Sequence, residues 1–265
     1  MQITTLHDLG PTVPIPYKDS CPEFSFKPWR MAEEKAVGQL KKKNKHLGKF
    51  VREVFDLMLD KFNGNTWADV PANDRKLYLN QMPMGSIFYM YMYLRYDALG
   101  DEIKIQRIKC PSCGTEIKEF VGDLNSLEVK TQTIEDPKTV DYELKRPFTL
   151  GEVEIKAIRL SYTPWDCMEK INTEMAGNAA LLRESMLLSS FHGVVAEPGG
   201  YLETLDRAKI LSMLTKRDIE GVYNALDAHN GGPVLGLSMS CTACDFEWDA
   251  PLDWSWDYFF SNSSQ

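Results

Sequence analysis

Four of the six cysteines stand in two Cys-x-x-Cys pairs, Cys110-Pro111-Ser112-Cys113 and Cys241-Thr242-Ala243-Cys244, set 131 positions apart in a chain of 265 residues. Four thiolates are a donor set that Zn²⁺ takes in tetrahedral structural sites, and each pair would supply one tight knuckle. Zinc ribbons space their knuckles by roughly ten to a few tens of residues, so this gap needs a reason of its own. A redox dithiol is the competing chemistry for Cys-Pro-Ser-Cys, but such pairs act at a helix N-terminus, whose field lowers the thiolate pKa. Here Ile103, Ile105 and Ile108 lead into the first pair, and Ile117 and Phe120 lead out. Val234, Leu235, Leu237 and Met239 lead into the second, and Phe246 and Trp248 lead out. Both pairs therefore read as tips of β-hairpins, with Gly114 and Asp245 at a turn position that favours positive φ. The predicted ligands are Cys110, Cys113, Cys241 and Cys244 around one structural Zn²⁺ per chain, with His229 as the alternative donor for one thiolate. Cys21 and Cys167 read as buried thiols.

The remaining residues offer little catalytic chemistry. His7, His46, His192 and His229 are scattered, and no phosphate-cradling glycine loop or nucleophile elbow is present. Neither an enzymatic role nor a small-molecule substrate is expected. The C-terminal run instead carries Trp248, Trp254, Trp256, Tyr258, Phe259 and Phe260, interleaved with Asp249, Asp253 and Asp257. Aromatic density of this kind suits packing on the hairpin or contact with a partner, and Trp254, Trp256, Tyr258, Phe259 and Phe260 are the partner-binding candidates.

The long gap between the knuckles is explained if the chain is duplicated. Glu23, Lys27 and Arg30 match Glu152, Lys156 and Arg159; Arg52-Glu53 matches Arg183-Glu184; Phe62-x-Gly64 matches Phe191-x-Gly193; Asp74-Arg75 matches Asp206-Arg207; and Ile87, Tyr91 and Leu94 match Ile219, Tyr223 and Leu226. The matches are collinear, at a nearly constant offset. Each half reads as a short strand (Phe24 and Phe26 in the first), a small helical bundle and a zinc hairpin. In the first half, helices are predicted over 31–45, from Phe50 to a stop at Asn63-Gly64, over 73–81, and over the strongly apolar 82–99. In the second, a strand over 152–160 precedes helices starting near Pro164, Asn178, Leu205 and Arg217. The predicted architecture is α+β with two tandem related halves: an extended N-terminal arm (1–20), a first repeat (21–132), a linker (133–148), a second repeat (149–256) and a tail (257–265). Equivalent knuckles would then meet across a pseudo-twofold axis.

Charge is divided unevenly. Residues 1–132 hold 19 Lys and Arg against 17 Asp and Glu, whereas residues 133–265 hold 11 against 21. An acidic second half disfavours nucleic acid. No run is apolar enough to span a membrane, and no signal pattern opens the chain, so a cytoplasmic origin is expected.

Three stretches of the first half resemble the T4-type bacteriophage baseplate protein family: Phe26-Lys27-Pro28-Trp29-Arg30-Met31-Ala32-Glu33-Glu34, Leu94-Arg95-Tyr96-Asp97-Ala98-Leu99-Gly100-Asp101-Glu102, and Ile108-Lys109-Cys110-Pro111-Ser112-Cys113-Gly114 onward to Gly122-Asp123-Leu124-Asn125-Ser126-Leu127. The resemblance covers about residues 20–130, and the second half departs from the family pattern. It implies a virion or assembly protein of a contractile-tailed phage, made in the host cytoplasm and placed in the tail baseplate. Its partners would be other baseplate and tail proteins, met through the arm and the tail. A transient assembly chaperone and a zinc-ribbon nucleic-acid or transcription-associated protein are the alternatives.

Overall fold

The computed structural model describes residues 1–44, 46–171, 179–197, 199–203, 206–234 and 236–252. The fold is mixed α and β, with several small antiparallel sheets. The chain opens with β1 (Gln2–Thr5), α1 (Leu6–Leu9), β2 (Phe24–Phe26), α2 (Met31–Lys43), α3 (Leu47–Met58), β3 (Leu59–Phe62), β4 (Asn65–Thr66), α4 (Ala72–Gln81) and α5 (Met84–Leu99). The first knuckle hairpin, β5 (Glu102–Lys109) and β6 (Glu116–Asp123), follows, and then β7 (Glu128–Thr131). Beyond it run β8 (Thr139–Leu150), β9 (Val153–Ser161), α6 (Asp166–Lys170), α7 (Ala179–Ser190), β10 (Phe191–Glu197), β11 (Gly200–Leu202), α8 (Arg207–Met213) and α9 (Lys216–Asn230). The described chain closes with β12 (Gly232–Pro233), β13 (Gly236–Ser240) and β14 (Glu247–Pro251). No described helix is long and apolar enough to cross a membrane.

Apolar spacing explains the helices that matter most. On α3, Phe50, Val51, Val54, Phe55 and Met58 fall on one buried face. On α5, Ile87, Tyr89, Met90, Tyr91, Met92 and Leu94 are all buried, so this helix is sheathed on nearly every side and forms the axis of the first core. Pro83 fixes its N-terminal boundary, where the missing N–H costs no helical bond. Two antiparallel sheets flank the helices, β2-β3-β4 and β8-β9-β10-β11. A third, β1-β7-β12, ties the N-terminus to the segment after α9.

Three expectations are corrected. Residues 59–62 do not continue the helix from Phe50; they form β3, paired with β2. Asn63 and Gly64 have φ of 51° and 77°, the left-handed pair of a hairpin turn rather than a helix stop. The span 133–148 is not simply a linker, since Val140, Tyr142 and Leu144 alternate with Asp141, Glu143 and Lys145 along β8. Residues 1–20 are not a free arm either. Leu6, Val13 and Tyr17 belong to the first core, β1 pairs with β7, and the Phe24 amide donates to the Pro11 carbonyl at 2.9 Å.

The two parts are also less separable than a division near 133–148 implies. One buried cluster contains α3, α5 and the inner face of β5, but also Trp165, Leu237 and Leu252. The other lies between the β8–β11 sheet and helices α7, α8 and α9. At the seam, the Met84 amide donates to the Thr163 carbonyl at 2.8 Å and the Trp165 amide to the Met82 carbonyl at 2.9 Å. Buried Asn230 accepts from the Thr163 amide at 2.8 Å and donates to its hydroxyl at 2.9 Å. Arg52 pairs with Glu169. Backbone meets backbone where α5 begins: a Cβ on Gly85 would lie 2.7 Å from the Gly231 carbonyl oxygen and 2.8 Å from that of Asn230. Gly85→Ala is therefore expected to destabilise the protein by about 1–3 kcal/mol, since neither neighbour is a side chain that can swing away. A urea midpoint unchanged by that substitution would show the seam is looser than described.

Candidate metal centre

Each knuckle is a strand pair closed by the same local bonds. In the first, the Cys110 amide donates to the Thr115 carbonyl and the Gly114 amide to the Cys110 carbonyl, both at 2.9 Å. In the second, the Cys241 amide donates to Phe246 and the Asp245 amide to Cys241, again both at 2.9 Å. Gly114 and Asp245 take φ of 72° and 52°, as the turn requires. A Cβ on Gly114 would meet nothing within 4 Å, so Gly114→Ala tests backbone strain alone. It is expected to cost about 1–2 kcal/mol, whereas Asp245→Gly should be neutral or mildly stabilising; thermal melts of the metal-loaded protein measure both.

The hairpins bring the four sulfurs together. Cys110 Sγ lies 3.7 Å from Cys244 Sγ, and Cys113 Sγ lies 3.6 Å from Cys241 Sγ. All four lie within 4.8 Å of one another. These separations are too long for disulfides, whose sulfurs sit at about 2.0 Å. They match the edge of a tetrahedron with metal–sulfur bonds of about 2.3 Å, which is ~3.8 Å. The donor set and its spacing thus fit a four-thiolate metal ion. Cys110 and Cys241 are buried and Cys113 and Cys244 exposed, so the cluster has one covered side and one open to solvent.

Hydrogen bonds to sulfur favour the ligating, charged form. The Cys113 amide points to Cys110 Sγ at 3.5 Å and the Ala243 amide to Cys241 Sγ at 3.4 Å. The Thr115 side chain, 3.1 Å away, together with its backbone, brings the Cys113 thiol down to about 6, helped by Cys244. Cys244 goes the other way, to about 12: the Phe246 backbone lowers it, but Cys113, burial and the other two thiols outweigh that bond. Without a cation, one thiolate raises the cost of the next. A bound metal reverses that balance by attracting every thiolate at once.

The rest of the fold aims the hairpins at each other. Buried Arg95 donates to the Gly100 carbonyl at 2.8 Å and the Glu102 carbonyl at 2.6 Å, fixing β5 to the end of α5. Burial lowers its pKa. Gly122 of β6 leaves room for Leu237 of β13, whose Cδ1 would lie 2.3 Å from a Cβ there. Neither Arg95 nor Gly122 was singled out in the sequence for this role, since each matters through a contact with a carbonyl or a side chain that no spacing reveals.

The structure brings together Cys110, Cys113, Cys241 and Cys244. His229 lies elsewhere, stacked on Tyr162 with ring centroids 4.4 Å apart and Nε2 3.3 Å from the Lys138 carbonyl, so it is not the fourth donor. Cys167 is a buried thiol and Cys21 a half-buried one, and burial raises both pKa values. Trp254, Trp256, Tyr258, Phe259 and Phe260 lie outside the described residues.

Two separate hairpins of a protein of mixed α and β structure thus build a four-cysteine cluster that could hold a metal ion. The chain belongs to the T4 bacteriophage base plate protein family, whose profile matches residues 11–250. The match runs through the second half as well as the first, correcting the expectation that the resemblance ends near residue 130. Family membership implies a location at the virion tail and other phage structural proteins as partners. No curated protein and no solved structure matches the chain.

Proposed function

We propose that the protein is a structural component of the hub or wedge region of a contractile-tailed phage baseplate, and that one Zn²⁺ on Cys110, Cys113, Cys241 and Cys244 clasps its two hairpins. The observation that carries this reading is the gathering of four sulfurs, two from the middle and two from near the end of the span that matches the family, within 4.8 Å. Zinc suits the set because it takes four thiolates in closed tetrahedral sites that are structural rather than catalytic. The metal is not the main join between the two parts, since Trp165, the Gly85–Gly231 contact and the β1-β7-β12 sheet already hold them. Its task is narrower: it holds together the tips of two two-stranded hairpins whose bases already pack in the first core through Ile103, Ile105 and Leu237. We assign the protein no catalytic role and no nucleic-acid partner, in keeping with the acidic second half.

Internal duplication accounts for the separation of the knuckles. The order strand, helices, hairpin, two helices, knuckle hairpin runs from β2 to β6 and again from β9 to β14, and β2-β3-β4 is ordered as β9-β10-β11. Pro11 to Val13 lie beside β2 as β8 lies beside β9. Helices α5 and α9 carry the matched Ile87, Tyr91, Leu94 and Ile219, Tyr223, Leu226 in equivalent turns. The Phe62-x-Gly64 match with Phe191-x-Gly193 does not carry over, because Phe62 ends β3 and Phe191 begins β10.

Quantitative mass spectrometry of purified phage particles tests the role. Peptides at a fixed ratio to other baseplate proteins are expected. Their absence from finished particles, with abundance in assembly intermediates, would replace this reading with that of an assembly chaperone.

A further inference from the structure

The largest hollow described lies against α2, α3 and Trp67, with a volume of about 700 Å³. Four cations line it, Lys27, Lys43, Arg52 and Arg75, against two carboxylates, Glu53 and Asp56, with Leu40, Leu57 and Trp67 supplying apolar wall. Most of these charges are engaged: Lys27 Nζ donates to the Leu57 carbonyl at 2.7 Å, Arg52 pairs with Glu169, and Arg75 Nε lies 2.8 Å from Asp56. Lys43 is exposed and has no partner among the described residues. Trp67 is only 2% exposed, and its indole N–H is without an acceptor among the described residues. A groove with an exposed lysine and an apolar wall suits an acidic, aromatic peptide.

The chain contains such a peptide. Residues 253–265 hold Asp253 and Asp257, no Lys or Arg, and Trp254, Trp256, Tyr258, Phe259 and Phe260. They begin directly after Leu252, which is 4% exposed and sits in the same buried cluster as Trp67, Val54 and Phe55. Fully extended, the eight residues that follow Leu252, up to Phe260, reach about 27 Å, more than the ~18 Å radius of gyration expected for a chain of this length. Competing hollows fit less well. The one beside Tyr78 is lined by Asp19, Asp69 and Asp74 with a single Lys18, and the one beside Trp248 by Glu247 and Asp249 with no cation. A hollow of about 380 Å³ beside Pro83 has two lysines, but Lys138 is paired with Asp19 and Lys18 rests on the Tyr17 and Tyr78 rings.

We propose that the groove between α2, α3 and Trp67 is the docking site for the chain's own C-terminal segment 253–265, with Asp257 facing Lys43 and the aromatic side chains against Leu40, Leu57 and Trp67. The tail then belongs to the protein's own surface rather than to a neighbour. The test is photo-crosslinking of full-length, metal-loaded protein carrying a benzoylphenylalanine in place of Phe259, mixed with an isotope-labelled copy. Adducts within one chain, on Leu40, Lys43, Leu57 or Trp67, are expected. Lys43→Glu should lower their yield about threefold, as loss and reversal of one exposed pair would, and adding Asp257→Lys should restore it. Adducts elsewhere in the chain, adducts joining labelled to unlabelled copies, or no adducts at all would overturn the proposal.

Discussion

Cys241→Ser is expected to reduce bound zinc from one ion per chain to essentially none and to lower the melting temperature by roughly 10 °C. A zinc site in a small peptide supplies on the order of 10 kcal/mol of folding free energy. Here about half of that is expected to be lost, since the hairpins keep some packing of their own. Leu237 and Leu252, from the second hairpin, are buried in the first core, so freeing the hairpin also loosens that core. The effect is thus larger than the opening of an angle between two bundles. The same substitution at Cys110 should behave alike, and the double variant should cost little more than either single one, because one missing ligand already abolishes the closed site. Full zinc content in Cys241→Ser would remove that residue from the ligand set.

Trp165→Ala should be comparably severe, at about 3–5 kcal/mol. This side chain comes from the segment after β9 yet is 1% exposed inside the first core, where it meets the Phe88 ring edge-to-face at 5.6 Å. Its indole N–H donates to the Gly48 carbonyl at 3.0 Å. Truncation leaves a cavity and an orphaned carbonyl at the seam, beside Gly48, where α3 approaches the Met168 backbone too closely for any Cβ. Trp165→Phe separates the two losses: it keeps most of the packing and should cost about 1 kcal/mol for the hydrogen bond. Equal costs for Ala and Phe in urea unfolding would mean that the bond, not the packing, dominates.

The four-cysteine cluster was legible because metal ligation demands particular residue types at a fixed spacing, and the flanking Ile and Val runs announced strands. α5 was legible from its unbroken apolar run. The β3–β4 hairpin was not, since Leu59 and Phe62 extend the apolar pattern of α3 and Asn63-Gly64 ends a helix as readily as it turns a hairpin. Two other misses had a signal. Val140, Tyr142 and Leu144 alternate with charged residues, as a strand should, but Pro137 and Pro147 suggested a linker. Val13, Ile15 and Tyr17 alternate in the same way between prolines, and all three are buried. Burial of Trp165 in the opposite core had no local signal, because nothing in its neighbourhood states which surface it will meet.

The central claim is that both knuckles grip a single ion. Zinc K-edge X-ray absorption on the purified full-length protein, with metal content measured on the same sample, tests it most directly. The expected result is one zinc per chain with four sulfur neighbours at about 2.3 Å. Two ions per chain, no metal in protein prepared without chelator, or a first shell mixing sulfur with nitrogen or oxygen would contradict it.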